Sequence, residues 1–382
     1  MIVLVRIISR RCVGPSRARG HLQNMLLATA LLWPLSLAVS KPSIIITDGL
    51  DKAAITLLQD SGANVVQRHL SMEELEGGAL QDYDAIIIRS ATSLSEAAVQ
   101  SGAAGKLRVI GRAGVGVDNV DVSAASAAGC HVLNTPGAST RSVAELTLAH
   151  MLAAARGVQA ADAGLKSGRW LKGKIKLNAD GGPRQGHELA GKRLGIIGFG
   201  RIARAVARLG SALGMEVCAF SRSPDATKAA GMGVELKESV TELLRSCTHV
   251  VVLCALSSET RGLINSDRIK LLPQVGADGT PCGAHLFNMA RGGIVVENDA
   301  AAALVDGTLS TYATDVFEKE PPPPDNPLLS CDNFHGTPHV GAATLEAQAR
   351  VGEIIARNVL ATLNGNPPDL GDGVVAAPAD AC

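Results

Sequence analysis

From residue 43 onward, short β-branched and apolar runs alternate with alanine-rich stretches of helical period, and this alternation restricts the fold more than any other feature. It is the pattern of βαβ units, in which each helix crosses back to begin the next parallel strand. The strands predicted in a first block are 43–47, 85–90, 108–113 and 131–136, and those in a second block are 194–199, 216–221, 249–254, 284–290 and 311–317. The sequence therefore predicts an α/β fold with two doubly wound parallel sheets.

Two long helices and several loops complete the predicted organisation. A helix over 140–156 separates the two blocks, and an amphipathic helix over 344–363 has no strands of its own and must pack on structure formed earlier. The stretches 172–187 and 273–285 carry Gly, Pro and Asp and are predicted as surface loops, and the Pro run at 321–324 as a stiff connector. No folded element is expected after residue 365, so 366–382 is interpreted as a tail.

Length and composition favour a two-domain globular enzyme over a nucleic-acid-binding protein. A chain of 382 residues is long enough for two cores, and with 46% hydrophobic but only 2% aromatic residues these cores must consist of Val, Ile, Leu and Ala. Base-stacking surfaces are not expected from so few rings. The eight cysteines form no CxxC pair and have no zinc-like spacing, so they are interpreted as small buried residues in a reducing compartment, and no metal site is expected.

The first forty-two residues have the character of a targeting segment. They hold six of the 36 basic residues and no acidic residue, and they include the apolar run 25–39, which contains Pro34 and is short for a membrane span. Without these six, 30 basic residues remain against 36 acidic ones, which leaves a mildly acidic body with no footprint for nucleic acid. We expect delivery to an organelle, plastid or mitochondrion, after removal of the leader. A secretory route, a retained anchor, a misassigned start and a cytoplasmic protein remain alternatives.

A glycine fingerprint lies between a predicted strand and a predicted helix. Gly198, Gly200 and Ala203 match GxGxxG/A, with Arg201 and Ile202 between them opening the helix. The first glycine permits a tight turn, the second allows a pyrophosphate to approach the backbone, and the small third residue allows close packing of helix on strand. The placement predicts a dinucleotide site at the helix N-terminus, whereas an ordinary tight turn is the alternative.

Arg291 follows a predicted strand, at the edge where open parallel sheets bind ligands. A guanidinium there could hold a carboxylate through two hydrogen bonds and polarise an adjacent keto oxygen. Taken singly, Arg291 is more often a solvated charge, and Asp315, Glu320 and His339 are equally unremarkable.

Together, however, these residues fall in segments that resemble the D-isomer-specific 2-hydroxyacid dehydrogenases over about residues 43–365. The segments are RSAT (89–92), VIGRAGVGVDNVD (109–121), NTPGASTRSVAELTLAHMLAAAR (134–156), LGIIGFGRIA (194–203), NMARGGIV (288–295), TDVFEKEPP (314–322) and TPHVGAAT (337–344). Their order, spacing and identity make the resemblance specific. It implies an NAD(P)-dependent oxidoreductase that transfers hydride to or from C2 of a small 2-hydroxy or 2-keto acid.

The resemblance also implies roles for individual residues. Arg291 would hold the substrate carboxylate and keto group, His339 would act as acid and base at the C2 oxygen, and Glu320 would hold that imidazole. A carboxylate beside an imidazole favours its protonated form, so the role of Glu320 is physically reasonable. The residues that would line the nicotinamide side are Cys254, Ala290 and Asp315, and those that would meet the substrate carboxylate with their backbone are Val115 and Gly116.

The domain organisation implied by the resemblance is a Rossmann-type cofactor domain, 137–336, inserted into a flavodoxin-like substrate domain, 43–136 plus 337–365. The cleft between them would close on substrate and exclude water. A homodimer through the cofactor domain is expected, with the helix from Thr140 supplying an arm. The regulatory domain that follows this core in many relatives is not expected, nor is feedback by serine through it.

Among substrates, D-3-phosphoglycerate is the first candidate, and hydroxypyruvate or glyoxylate is the alternative. A phosphorylated acid needs cations beyond Arg291, and the candidate substrate residues in the first block are Arg89, Ser90 and Arg112. Both of these arginines could instead be surface charges at strand ends. A catalytically silent, dinucleotide-sensing protein similar to the corepressors of this fold is a further alternative. The presence of Arg291, Glu320 and His339 argues against it, because a binding module does not need them.

The sequence further predicts a preference for NADP(H) over NAD(H). In NAD-binding fingerprints an acidic residue about twenty positions after the glycines accepts hydrogen bonds from the adenosine ribose. Here the corresponding strand ends in Ser221 and Arg222, whose hydroxyl and guanidinium could hold a 2′-phosphate. Use of both cofactors, with Arg222 stacked on adenine, is the alternative.

Overall fold

A computed structural model describes residues 41–172, 186–366 and 374–377. The strands are β1 (Ser43–Ile46), β2 (Asn64–Gln67), β3 (Ala85–Ile88), β4 (Val109–Arg112), β5 (His131–Leu133), β6 (Arg193–Ile197), β7 (Glu216–Phe220), β8 (Glu235–Leu236), β9 (His249–Val252), β10 (His285–Asn288), β11 (Thr311–Thr314), β12 (Phe334–Gly336) and β13 (Val374–Ala376). The predicted leader, 1–42, lies outside the described residues except for its last two, and most of the predicted loop 172–187 lies outside them as well.

The helices connect these strands in the predicted alternation. They are α1 (Lys52–Asp60), α2 (Met72–Glu76), α3 (Glu96–Ala103), α4 (Val122–Ala127), α5 (Thr140–Arg156), α6 (Val158–Lys166), α7 (Arg201–Ala212), α8 (Ala226–Ala230), α9 (Val240–Ser246), α10 (Ser266–Ile269), α11 (Glu297–Asp306) and α12 (Leu345–Leu363), with a 3-10 turn at Pro327–Ser330. The predicted helix 140–156 is confirmed as α5, and the predicted helix 344–363 as α12. In the part of the chain that the structure describes, no helix is long and apolar enough to cross a membrane.

Two sheets organise the described chain, as predicted. The first has the order β13-β5-β4-β3-β1-β2 and is parallel except for β13, and the second has the order β12-β11-β10-β9-β6-β7-β8 and is parallel throughout. In the second sheet the chain runs outward from β6 to β8 and then returns to the other side of β6 at β9. This reversal opens a crevice beyond the carboxyl ends of β6 and β9, where such sheets bind ligands.

The cores are aliphatic, as the composition predicts. Val250 and Val252 of β9 are fully buried on one face of the second sheet, and Val251, also fully buried, belongs to the core on the opposite face with α5 and α7. Both faces of this sheet are therefore covered, which explains its continuous apolar strands. The contacts of the described residues join both sheets in one unit, so the domain boundaries remain a prediction.

The structure changes the expectations for two segments that were predicted to lack regular structure. The stretch after residue 365 was expected to be an unfolded tail, but Val374–Ala376 forms an edge strand that pairs antiparallel with β5. The predicted loop 273–285 contains a bridge between Val275 and Pro281, and its last residue, His285, begins β10 within the predicted strand 284–290. Four cysteines, Cys130, Cys218, Cys247 and Cys282, are buried as predicted, and no disulfide joins the cysteines of the described residues.

Candidate active site

The glycine fingerprint forms a tight turn from β6 into α7. Gly198 has φ +105°, and a Cβ there would lie 2.7 Å from the carbonyl oxygen of Leu253, which directly follows the neighbouring strand β9. Gly200 precedes the first residue of α7, and a Cβ there would meet nothing within 4 Å, so the helix N-terminus is open. Both features suit the approach of a pyrophosphate to the backbone.

A cleft of about 610 Å³ opens beside this turn, and we call it the fingerprint cleft. The predicted cofactor residues that line it are Gly198, Gly200, Ser221, Arg222 and Cys254. No acidic residue stands at the end of β7, but Glu259, from the loop after β9, forms an ion pair with Arg222. Both side chains of the pair are 66% exposed, so the pair is accessible to a ligand in the cleft.

A second cavity, of about 380 Å³, contains three arginines, and we call it the arginine cavity. Arg112 ends β4, Arg89 directly follows β3, and Arg291 lies beyond the end of β10. The predicted site residues that line it are Arg89, Ser90, Arg112, Val115, Gly116, Ile202, Cys254, Ala290, Arg291, Asp315 and His339. Because Cys254 lines both the arginine cavity and the fingerprint cleft, a ligand can span the two.

Arg112 is a buried cation in the wall of the arginine cavity. Arg112 is 8% exposed, and its Nε atom has no hydrogen-bond partner among the described residues. Burial lowers the pKa of Arg112 to about 10, and the positive charges of Arg291 and Arg89 add to this effect against the opposing charge of Asp118. Burial is the main cause of the shift, and the repulsion from the two neighbouring arginines, the smaller cause, would be relieved by an anionic ligand.

Arg291 is held between the two sheets. Its Nε lies 3.1 Å from Oδ1 of Asp118, in the loop after β4, and its Nη1 donates to the carbonyl of Ala290 at 2.8 Å. A Cβ on Gly116 would lie 1.6 Å from Nη2 of Arg291. A glycine is therefore required at 116 for the guanidinium to occupy this position.

His339 and Glu320 form the predicted pair. Nδ1 of His339 lies 2.7 Å from Oε2 of Glu320, and the other carboxylate oxygen accepts a hydrogen bond from the Phe317 N–H at 3.1 Å. Burial acts to raise the pKa of Glu320, but the contact with His339, the Phe317 N–H and the charge of Arg291 together lower it. His339 has φ +53°, a conformation that is uncommon for a residue with a side chain and that concentrates at functional sites.

Asp315 fixes the segment that carries His339. Its carboxylate accepts hydrogen bonds from the backbone N–H groups of Val340 and Gly341, each at 2.8 Å, and from the hydroxyl of Thr337 at 2.7 Å. The Thr337 hydroxyl also lies 3.2 Å from Nε2 of His150 on α5. Asp315 is 5% exposed, so these bonds occur with little competition from water. Besides lining the cavity, Asp315 therefore positions the loop on both sides of His339.

Most of the predicted site residues meet at this place. Glu320 does not line the arginine cavity but reaches it through His339, whereas Arg201, exposed at the start of α7, lines neither cavity. Sequence reasoning missed Asp118 and Glu259, which pair with Arg291 and Arg222. Asp118 could have been suspected, because it closely follows Gly116 in the same motif; Glu259 has no comparable signal.

Comparison with known proteins agrees with this geometry. The sequence model of the D-isomer specific 2-hydroxyacid dehydrogenase, NAD binding domain, matches residues 148–341. The D-3-phosphoglycerate dehydrogenase of Methanocaldococcus jannaschii is 40% identical over 335 residues, which are 88% of this chain and 59% of that protein. The chain thus spans about three fifths of the length of this relative.

Solved structures give the same result. The TT0316 protein of Thermus thermophilus is similar with a TM-score of 0.76 and 31% identity over 87% of this chain and 99% of that one. The NADPH-dependent glyoxylate/hydroxypyruvate reductase of Sinorhizobium meliloti, solved with NADP and malonate, has a TM-score of 0.70 and 25% identity over 85% of this chain and 94% of that one. The chain belongs to the D-isomer specific 2-hydroxyacid dehydrogenase family.

Proposed function

We propose that this protein is an NAD(P)-dependent dehydrogenase whose substrate is D-3-phosphoglycerate, oxidised at C2 as in serine biosynthesis. The observation that carries the proposal is the arginine cavity. Three arginines line it, and the buried Arg112 has an Nε without a hydrogen-bond partner among the described residues. One cation suffices for a carboxylate, so the additional cations support a second anionic group on the substrate.

The residues of the chain fit the cofactor. Gly198 and the open N-terminus of α7 would hold the pyrophosphate, and Cys254, Ala290 and Asp315 would lie beside the nicotinamide. When bound, the nicotinamide supplies or accepts the hydride at C2. Arg291 would bind the carboxylate and keto oxygen, and His339 would transfer the proton to or from the C2 oxygen, with its imidazolium stabilised by Glu320. The contacts of Asp315 with Val340 and Gly341 would keep that imidazole in place.

A substrate panel tests the proposal. Oxidation of D-3-phosphoglycerate is compared with reduction of hydroxypyruvate and glyoxylate, each with both nicotinamide cofactors. We expect the highest kcat/KM for the phosphorylated acid. Unmeasurable turnover of D-3-phosphoglycerate together with rapid reduction of hydroxypyruvate would reject it in favour of a hydroxypyruvate/glyoxylate reductase, the activity in the name of the Sinorhizobium meliloti relative.

Substitution of Arg89 tests whether the additional arginines bind the phosphate group of the substrate. Arg89→Gln should raise KM for D-3-phosphoglycerate about tenfold or more, the scale of one charge-assisted hydrogen bond, while KM for hydroxypyruvate changes little. Arg108→Gln is the matched control, because Arg108 precedes β4 and forms an ion pair with Asp84 outside the cavity. Equal effects of Arg89→Gln on KM for both substrates would mean that Arg89 acts through the overall charge of the cavity and does not bind the phosphate.

For the cofactor, we propose a preference for NADP(H). Ser221 and Arg222 line the fingerprint cleft, and no carboxylate stands at the end of β7 to repel a 2′-phosphate. Steady-state kinetics with NADPH and NADH test this, and a tenfold higher catalytic efficiency with NADH would reject it. Ser221→Asp combined with Arg222→Pro should move the preference toward NAD(H).

We also propose that the protein is a homodimer in which α5 and α6 supply the contact. Four large apolar side chains are exposed on or just beyond these helices: Leu152, Val158, Leu165 and Trp170. Such a row is expected at an interface rather than in water. Light scattering should give twice the chain mass for the parent protein and a smaller mass for Leu165→Asp. A monomeric parent would contradict the proposal.

A further inference from the structure

Three buried histidines meet near the amino-terminal ends of β9 and β10, at the edge of the second sheet opposite the arginine cavity. His249 and His285 are the first residues of β9 and β10, and His187 precedes β6. They are 0%, 1% and 7% exposed. His187 and His249 are 62 residues apart in the chain, so no spacing pattern announces the cluster.

The strands and α5 determine how these rings approach one another. His249 and His285 are parallel register partners, and their rings stack with centroids 4.5 Å apart and an interplanar angle of 26°. Val251 and Phe287, two residues further along each strand, belong to the core cluster that contains α5 residues. Side chains two residues apart in a strand lie on the same face of the sheet, so both histidines lie on the face that α5 covers. The backbone N–H of His187 donates to the carbonyl of Ala155 near the end of α5, at 3.0 Å.

The ring nitrogens converge. One ring nitrogen from each histidine lies within 4.8 Å of one from each of the others, and Nε2 of His187 is 3.0 Å from Nε2 of His249. In two of the rings, a nitrogen also has a hydrogen-bond partner outside the three histidines. Nδ1 of His249 is 3.0 Å from the Thr248 hydroxyl, and Nε2 of His285 is 2.9 Å from the Cys282 carbonyl.

The bond to the Cys282 carbonyl determines the tautomer of His285. A carbonyl only accepts, so Nε2 of His285 carries the proton and Nδ1 is its lone-pair nitrogen. If Nδ1 of His249 donates to the Thr248 hydroxyl, its Nε2 accepts a hydrogen bond from Nε2–H of His187. Metal binding would then require His187 to move this proton to its Nδ1. Histidines that ligate metals characteristically donate their second ring N–H to a carbonyl or hydroxyl in this way.

We propose that His187, His249 and His285 bind a divalent transition-metal ion, Zn²⁺ by preference. Imidazole nitrogen suits Zn²⁺, Cu²⁺ and Ni²⁺, whereas Mg²⁺ and Ca²⁺ take oxygen ligands. Three nitrogens about 2.1 Å from a tetrahedral Zn²⁺ are separated by about 3.4 Å, between the 3.0 Å of the His187–His249 pair and the 4.8 Å limit of the set. The observed separations therefore bracket the spacing that the metal requires, and the rings must shift to reach it.

The position of the cluster gives the ion a structural role. His249 and His285 begin their strands, whereas Cys254 and Arg291 follow the opposite ends of the same strands. Four residues of strand separate the two edges by about 10 Å or more. A metal here would not touch the substrate. It would tie the segment of His187, which contacts the end of α5, to the middle of the second sheet.

Metal binding to the full-length chain tests the proposal. Protein freed of metal by a chelator is titrated with Zn²⁺, and bound metal is counted by elemental analysis after gel filtration. All proteins carry His339→Gln, which removes the exposed active-site imidazole as a competing ligand. We expect about one Zn²⁺ per chain and a higher melting temperature with Zn²⁺ than with chelator. A chain that retains no Zn²⁺ would overturn the proposal and leave the cluster as imidazoles that share protons.

A matched pair of substitutions locates the metal. His249→Gln should weaken Zn²⁺ binding at least tenfold and abolish the metal-dependent rise in melting temperature. His131→Gln is the control, because His131 also begins a strand, β5, but lies in the other sheet. Equal binding by the two variants would overturn the proposal.

Cobalt provides a readout that does not depend on a folded His249 variant. Co²⁺ added to the metal-free chain should give the intense visible bands of a four-coordinate site without thiolate charge-transfer absorption. Weak six-coordinate bands, or a thiolate band that indicates cysteine ligands, would overturn the assignment to the three histidines.

Discussion

Asp118 and Arg291 form an ion pair between the two sheets, with Nε of Arg291 3.1 Å from one carboxylate oxygen of Asp118 and 3.2 Å from the other. The arginine follows β10 of the second sheet, and the aspartate follows β4 of the first. In this arrangement the carboxylate of Asp118 faces Nε of the guanidinium that we propose binds the substrate carboxylate. We therefore expect Asp118 to compete with the substrate carboxylate for the guanidinium of Arg291.

Asp118→Asn is expected to lower KM for the acid substrate about two- to fivefold. The Asp118 side chain is 55% exposed, and partly exposed ion pairs are worth on the order of 0.2–1 kcal/mol, which sets this scale. Steady-state kinetics at fixed cofactor measure it. Asp82→Asn, an exposed change of the same charge in the turn before β3, should leave KM unchanged. An increase in KM would mean that Asp118 orients Arg291 for substrate rather than competing with it.

Gly116→Ala should reduce kcat/KM about a hundredfold while the affinity for cofactor stays the same. The new Cβ would lie 1.6 Å from Nη2 of Arg291, so the guanidinium must move by an ångström or more, and such misplacements cost on this order. Gly137→Ala is the control, because a Cβ at 137 meets nothing within 4 Å. Kinetics together with a cofactor fluorescence titration separate the two effects. A kcat/KM of Gly116→Ala equal to that of the parent would mean that the substrate carboxylate does not bind Arg291 in its present position.

His339→Ala should reduce turnover by roughly two to four orders of magnitude, the scale of general acid and base catalysis. The imidazole lines the arginine cavity and is held by Glu320 at 2.7 Å. Cofactor affinity should be nearly unchanged, because the side chain is exposed on the surface of the cleft. Turnover equal to that of the parent would remove His339 from the mechanism.

Glu320→Gln should be milder than loss of His339 and should shift the acid limb of the pH–rate profile to lower pH. The imidazolium would lose a charged partner and retain a hydrogen-bonding one.

The Glu320→Gln substitution should also change the pH dependence of stability. Since the folded-state pKa of Glu320 is lowered, its contribution is complete at neutral pH and is lost as the pH falls through that lowered value. The parent should therefore lose its stability advantage over Glu320→Gln on acidification. Superimposable activity and melting profiles would show that the contact has no effect.

The central strands of both sheets could be predicted from the sequence, but the edges could not. β3 and β9 are buried at every residue, and continuous apolar runs of this kind identify central parallel strands. β2, β8, β12 and β13 were missed, because they are short and partly exposed, so they lack the fully buried pattern that marks a central strand. The same limit applies to the site. Motifs identify Arg291 and His339, whereas the pairing of Asp118 with Arg291 joins residues 173 positions apart and depends on the fold.

The last prediction concerns Glu259, which forms an ion pair with Arg222 in the fingerprint cleft. If Arg222 holds the 2′-phosphate of NADP(H), the carboxylate of Glu259 competes for the same guanidinium and repels the phosphate. Glu259→Gln should therefore raise kcat/KM for NADPH about two- to fivefold, the scale of an exposed ion pair, and leave kcat/KM for NADH nearly unchanged. Glu238→Gln is the control, because Glu238 lines the same cleft and the substitution removes the same charge without breaking the Arg222 pair. An equal rise for both cofactors would show that the 2′-phosphate does not reach Arg222, and a fall for NADPH would mean that Glu259 instead holds Arg222 in its binding position.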